Sequence, residues 1–275
     1  MVKRPAARPD ARKPGLGTPD KLSEQGAATK TVHSYGKALQ RSHDGLSGVP
    51  EPGPDGKAVI PGVAIAPPPT LHLSTTRWPA GSILHRVHAD AYGAVEFNPG
   101  LKGNARFSPV KDAAGRPIPT LYGGASFACA AMESVFHDVP FAPGFKFYDK
   151  GKLAGQVHSQ FDASEDLLLA DLGSRALRKL GALRSQLIDT EKDQYPTTRL
   201  WAEAIHAAHP QVQGLCWISR QDDSARAVVL FGDRVGEGLL RQSAPSRSLA
   251  NDPQAYGELL ALAEQIGVDI VPGRS

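Results

Sequence analysis

The chain has 275 residues, 41% of them hydrophobic, and a formal net charge of +3, a length and composition that support one well-packed domain with a small appendage. The positive charge belongs to one end: residues 1–70 hold 10 Lys and Arg against 6 Asp and Glu, leaving 21 against 22 for the remainder. A nearly neutral globular part argues against a nucleic-acid surface, whose phosphate contacts need clustered cations, and leaves only a weak contact through the tail open.

Residues 1–70 contain 11 Pro and 9 Gly with few aromatics, a composition that buries too little surface to offset the entropy of ordering it. This stretch is expected to be a disordered basic tail, with a short helix considered at Lys30–Ser42 and a stiff spacer at Pro67–Pro69. The N-terminus lacks the apolar stretch of a secretory signal and no apolar run approaches the roughly 18 residues of a membrane span, so the expectation is a cytoplasmic protein with no membrane contact.

From Leu71 onward short apolar runs predict strands at Ile83–His88, Ala105–Phe107, Thr120–Tyr122, Leu153–Phe161, Leu167–Leu169, Gly214–Ile218 and Ala227–Phe231. Helices are expected around Glu133, at Ser174–Leu180, at Thr197–Ala208 and at Pro253–Ile266, the last opened by the cap pair Asp252 and Pro253 and stopped at Gly267. Strands and helices without regular alternation predict an α+β fold. Residues 71–240 are expected to form the domain, and residues 241–275 a C-terminal helical extension packed on it.

The segment TLYGGASFACAAMESVFHD, Thr120 to Asp138, is the most informative. Read as one helix from Phe127 at 100° per residue, its side chains are apolar around most of the circumference, and only Glu133, Ser134 and His137 break the pattern. A carboxylate on so buried a helix needs a partner or a ligand, which makes Glu133 a candidate functional residue; the alternative is a narrow wet stripe shared with His137.

Other constellations carry less. Cys129 and Cys216 lie in apolar surroundings, which disfavours a disulfide framework, a zinc site or a thiol nucleophile. Glu203 and His206 have a metal-ligand spacing but lack a second pair of ligands, so no metal is expected. Asp222 and Asp223 read as a turn between strands, and no glycine-rich dinucleotide loop is present.

Taken in order, LHRV at Leu84–Val87, NARFSP around Arg106, LYGG at Tyr122, then Glu133, WISR with Ser219, and VVLF ending at Phe231 resemble the RES-domain family over roughly residues 82–235. Arg106, Tyr122, Glu133 and Ser219 fall on the family's arginine, tyrosine, glutamate and serine, with its eleven-residue step from Tyr122 to Glu133, and Arg86 matches a second arginine. The resemblance implies a single RES-like domain, similar in its core to ADP-ribosyltransferases, that consumes NAD as a substrate, with no separate cofactor, and acts as a bacterial toxin. It implies catalytic roles for Glu133, Arg106 and Tyr122, and NAD binding by Arg86, Arg106, Tyr122 and Ser219. The expected reaction is cleavage of the nicotinamide–ribose bond by a glycohydrolase or phosphorylase. The alternatives are ADP-ribosylation of a protein, or a non-enzymatic binding module, the latter motivated by the divergent NARFSP string and the long loop KDAAGRPIP before Tyr122. A cognate antitoxin is the implied partner, and a homo-oligomer stays open.

Overall fold

The structure, a computed structural model, describes residues 64–100 and 102–273. The tail as far as residue 63, with the helix considered at Lys30–Ser42, lies outside them. In chain order the main elements are β1 (Thr75–Trp78), β2 (Leu84–Ala89), β3 (Val110–Lys111), β4 (Pro117–Ile118), β5 (Thr120–Gly124), α1 (Phe127–Met132), β6 (Lys146–Asp149), β7 (Gln156–Ala163) and β8 (Leu167–Asp171). There follow α2 (Ser174–Leu180), α3 (Arg184–Leu187), α4 (Tyr195–Ala208), β9 (Gly214–Ile218), β10 (Arg226–Phe231), β11 (Leu240–Ser248), α5 (Pro253–Gln265) and β12 (Val268–Val271). Eight strands form one mixed sheet in the order β1-β8-β9-β10-β5-β2-β7-β11, in which only β8 and β9 run parallel. The fold is α+β, as expected.

The runs GLCWI and RAVVLF are apolar at nearly every position because β9 and β10 are covered on both faces. Leu215, Trp217, Ala227, Val229 and Phe231 pack against Leu177, Leu187, Trp201 and Ile205 from the helices. The alternate residues Cys216, Val228 and Leu230 pack with Trp78, Leu84, Leu121, Phe161 and Leu167 on the other side. Gly214 is required here, since a Cβ would stand 2.2 Å from the carbonyl oxygen of Val229. A third cluster joins Ala131, Val135 and Phe136 to Leu259 and Leu262 of α5. The Asp252 side chain accepts from the Ala255 N–H at 2.8 Å, and Pro253 opens α5, as the sequence predicts.

Four expectations change. Residues before 71 already pack on the domain: Ala64 N–H donates to Gln194 Oε1 at 2.7 Å, Trp201 Nε1 donates to the Ile65 carbonyl at 2.5 Å, and Ile65 packs against the helical core. Ala105–Phe107 is a tight turn bridged between Ala105 and Ser108 rather than a strand. The segment after 240 opens with β11, paired to β7 at the sheet edge, so the C-terminal extension is not wholly helical. Finally, α1 ends at Met132 and Glu133 is its C-cap. The Ser134 hydroxyl bonds back to the Ala130 carbonyl at 2.5 Å, and the amide of Phe136 reaches the Ala131 carbonyl at 3.0 Å, closing the helix before Val135 and Phe136 turn into the core. Among the described residues no helix is long and apolar enough to cross a membrane.

Candidate active site

The second glycine after Tyr122, Gly124, sets the geometry of the site. A Cβ on Gly124 would stand 2.9 Å from Cys129 Sγ and 3.1 Å from the Ala130 amide, so only glycine lets α1 lie directly on β5. Ser126 caps that helix, accepting from the Cys129 N–H at 3.0 Å. The short helix then delivers Glu133, at its far end, to the wall of a cavity of about 320 Å³ bordered by β2, β5, α1, the turn at Asn104–Arg106 and the start of α4.

Glu133 Oε1 accepts a hydrogen bond from Ser219 Oγ at 2.6 Å. Ser219 is fully buried and follows β9; its oxygen also accepts from the amides of Gln221 and Asp222 at 3.0 and 2.9 Å. Its proton is thereby directed at the carboxylate. Ser219, expected to contact NAD, is not among the residues that border the cavity, and the contact it makes there is with Glu133. The turn carrying Asp222 and Asp223 lies between β9 and β10, as the sequence predicts.

Arg106 is 4% exposed and borders the cavity, and its Nε and Nη2 have no hydrogen-bond partner among the described residues. A buried guanidinium with free donors is costly unless something else accepts from it, and it suits an anionic ligand such as a phosphate. Its loop is pinned from two sides: Tyr122 Oη accepts from the Phe107 amide at 3.1 Å, and the Thr198 hydroxyl donates to the Arg106 carbonyl. Tyr122 thus serves as both cavity wall and anchor, with its ring edge-on to Trp217 at 6.3 Å. Burial pushes its phenol up to about 12, so it remains protonated.

Arg86, the expected second phosphate anchor, borders the cavity, and its guanidinium is engaged by a neighbouring loop. Alternation along β2 turns its side chain to the same face as Leu84, where Nη1 donates to the carbonyls of Gly93, Ala94 and Glu96 at 3.2, 3.0 and 2.8 Å. The structure therefore brings Arg86, Arg106, Tyr122 and Glu133 to the border of one cavity with Ser219 bonded to Glu133, and the Arg86 guanidinium is also hydrogen-bonded to a loop.

Sequence reasoning missed further wall residues, among them Trp217, His85 and Tyr195. Trp217 was legible, because it lies two residues before Ser219 and so shares its face. His85 was legible by alternation in the opposite sense, since one position from Arg86 puts it on the other face of β2. Tyr195 was not: it opens α4, and only the fold brings its hydroxyl within 3.2 Å of His137 Nε2. His137 Nδ1 in turn meets Asp138 at 2.7 Å, and Lys192 reaches the same carboxylate at 2.7 Å. Lys192 first and His137 second hold that carboxyl below its usual range. The four form a polar rim beside Glu133.

Cys129 borders the cavity, but burial, and then the Glu133 charge, push its thiol up to about 12, and burial pushes Cys216 up to about 11. Neither is a thiolate nucleophile near neutrality. Glu203 accepts from the Lys111 amide at 2.9 Å and His206 meets Asp233 at 2.8 Å, so the two do not converge on a metal. Among the described residues no group of three or more His, Cys, Asp or Glu side chains is arranged to hold a metal ion.

A search of curated proteins finds no match to the chain. A family model described as the RES domain, a family associated with NAD-consuming toxins, matches residues 83–252. That span runs from the first residues of β2 to the cap of α5 and encloses the whole cavity, and on this match the chain belongs to the RES-domain family.

Proposed function

We propose that this domain cleaves NAD at the bond between nicotinamide and ribose and passes the ADP-ribose to water or phosphate, acting as a toxin by depleting NAD. The observation that carries the reading is a carboxylate held by Ser219 in a cavity that also contains a buried arginine with unpartnered donors.

In this reaction the C1′–N bond breaks with its electron pair passing to nicotinamide, which leaves neutral. The ribose becomes oxocarbenium-like until an oxygen of water or phosphate closes on C1′ and the water proton is released. Positive charge on the sugar is what the protein must stabilise. A carboxylate ~4 Å from that charge gains about 4 kcal/mol at an effective dielectric of 20, roughly a thousandfold in rate when the charge exists mainly in the transition state. Glu133 takes this role, with Ser219 fixing its direction. Arg106 binds the pyrophosphate through its free Nε and Nη2, and Tyr122 with Trp217 supplies the aromatic wall for the nicotinamide. An antitoxin partner would silence the domain by filling this cavity.

Incubation of the purified protein with NAD labelled in the adenylate half tests the reading. Free nicotinamide with soluble labelled ADP-ribose, or its 1-phosphate, is the expected product pair. Label retained on a protein would instead indicate ADP-ribosyl transfer, and no nicotinamide release would indicate a binding module.

A further inference from the structure

Both His85 and Arg86 of β2 border the cavity, and alternation gives His85 the face that carries Tyr122. In register His85 lies opposite Gly124 of β5 and Gln160 of β7, on the face that carries Tyr122 and α1, and it borders the cavity. Its Nδ1 lies 2.9 Å from Nε2 of His158 on β7, the two ring planes only 6° apart. His158 Nδ1 in turn lies 3.1 Å from Nη2 of Arg247 on β11, and Arg247 is held by both oxygens of Glu258 on α5, each at 3.1 Å.

The direction of every bond in this chain is fixed at its far end. Arginine only donates, so His158 Nδ1 must accept; the proton of neutral His158 then sits on Nε2 and is donated to His85 Nδ1. His85 is left with its own proton on Nε2, the nitrogen that has no partner among the described residues. A proton on His85 Nδ1 would set two N–H groups against each other. We propose that His85 is a substrate-binding residue of this cavity, donating from Nε2 to an acceptor oxygen of the dinucleotide, and that His158 and Arg247 are positioning residues that fix its tautomer. The inference rests on the NAD reading above. Burial lowers the pKa of both histidines, and takes His158 to about 4, so both rings are neutral near pH 7, as the bond directions require. The charged groups acting on the pair are Arg247 and Glu258, with His88 a further neighbour of His158.

Two measurements test this. Long-range proton–nitrogen correlation spectra of the wild-type protein are expected to show His85 as the Nε2–H tautomer, and Arg247→Ala to show a mixture; an Nδ1–H tautomer in the wild type would overturn the proposal without any variant having to fold. In nicotinamide-release kinetics, His85→Ala is expected to raise KM about tenfold, the loss of one hydrogen bond, with kcat within about twofold. His85→Gln, whose amide can donate from nearly the same point, should recover part of the loss. Arg247→Ala should raise KM by less, and should add nothing to His85→Ala. An unchanged KM in His85→Ala while the wild type turns NAD over would sink the histidine assignment alone. A wild type that releases no nicotinamide but shows the Nε2–H tautomer would sink the NAD reading, and with it the role given to this donor, while the relay itself would stand.

Discussion

At position 133 the carboxylate has one hydrogen-bond donor among the described residues, and that donor is itself fixed by two backbone amides. Ser219→Ala should therefore lower nicotinamide release about tenfold while Ser219→Thr retains most of it, and Ser219→Ala added to Glu133→Ala should cost little more than the single change. Arg106→Lys keeps the charge but loses the fork of donors, and should raise KM for NAD more than it lowers kcat. The relay histidine also carries a stability signature. Its pKa falls from 6.5 to about 4 on folding, so the contribution is complete above 6.5 and is lost as pH falls through 4. Chemical denaturation between pH 7 and pH 4 should show a steeper loss for the wild type than for His158→Gln. Glu133 could be singled out as a carboxylate in an apolar helix, whereas Arg106 and Tyr122 were legible only through the family resemblance. Arg86 came from the same resemblance and borders the cavity, but strand alternation, equally legible in LHRV, turns its neighbour His85 to the face that carries Tyr122.

Among the elements, α1 matters most and was least well anticipated. Its apolar periodicity runs on through Val135 and Phe136, so periodicity alone extends the helix to Asp138; the stop comes from Ser134 bonding back to Ala130, a local competition that pattern reading does not register. The consequence is that Glu133 borders the cavity from the end of the helix. Gly124→Ala should push α1 off β5, costing about 1–3 kcal/mol of stability by overpacking and lowering nicotinamide release by more than the fraction unfolded, a comparison that thermal melts and kinetics on one preparation make directly. The interior strands β9 and β10 were legible because burial on both faces leaves continuous apolar runs. Edge strand β11, LRQSAPSRS, carries almost no apolar signal and is fixed by backbone pairing to β7. β1, with one fully buried residue in four, was missed for the same reason.

For the molecule as a whole, everything that builds the cavity lies between His85 and Ala227, with Arg247 and Glu258 supporting it from the segment that the sequence had set apart as an extension. The domain reaches further toward the N-terminus than composition suggested, since Ile65, Leu71 and Leu73 pack on the helical core. Removing residues 1–63 should leave NAD turnover intact. Removing residues 1–73 should lower the melting temperature and, with it, activity at 37 °C. The α+β class was readable from the order of elements, but the sheet order was not, because pairings such as β5 with β10 and β2 with β7 join segments far apart in the chain. The most direct test of the central claim is the rate of nicotinamide release by Glu133→Gln, which keeps the shape and the Ser219 contact but removes the charge. A fall of about a thousandfold in kcat with folded structure retained is the result expected from carboxylate stabilisation of an oxocarbenium-like ribose; a kcat within tenfold of the wild type would contradict it.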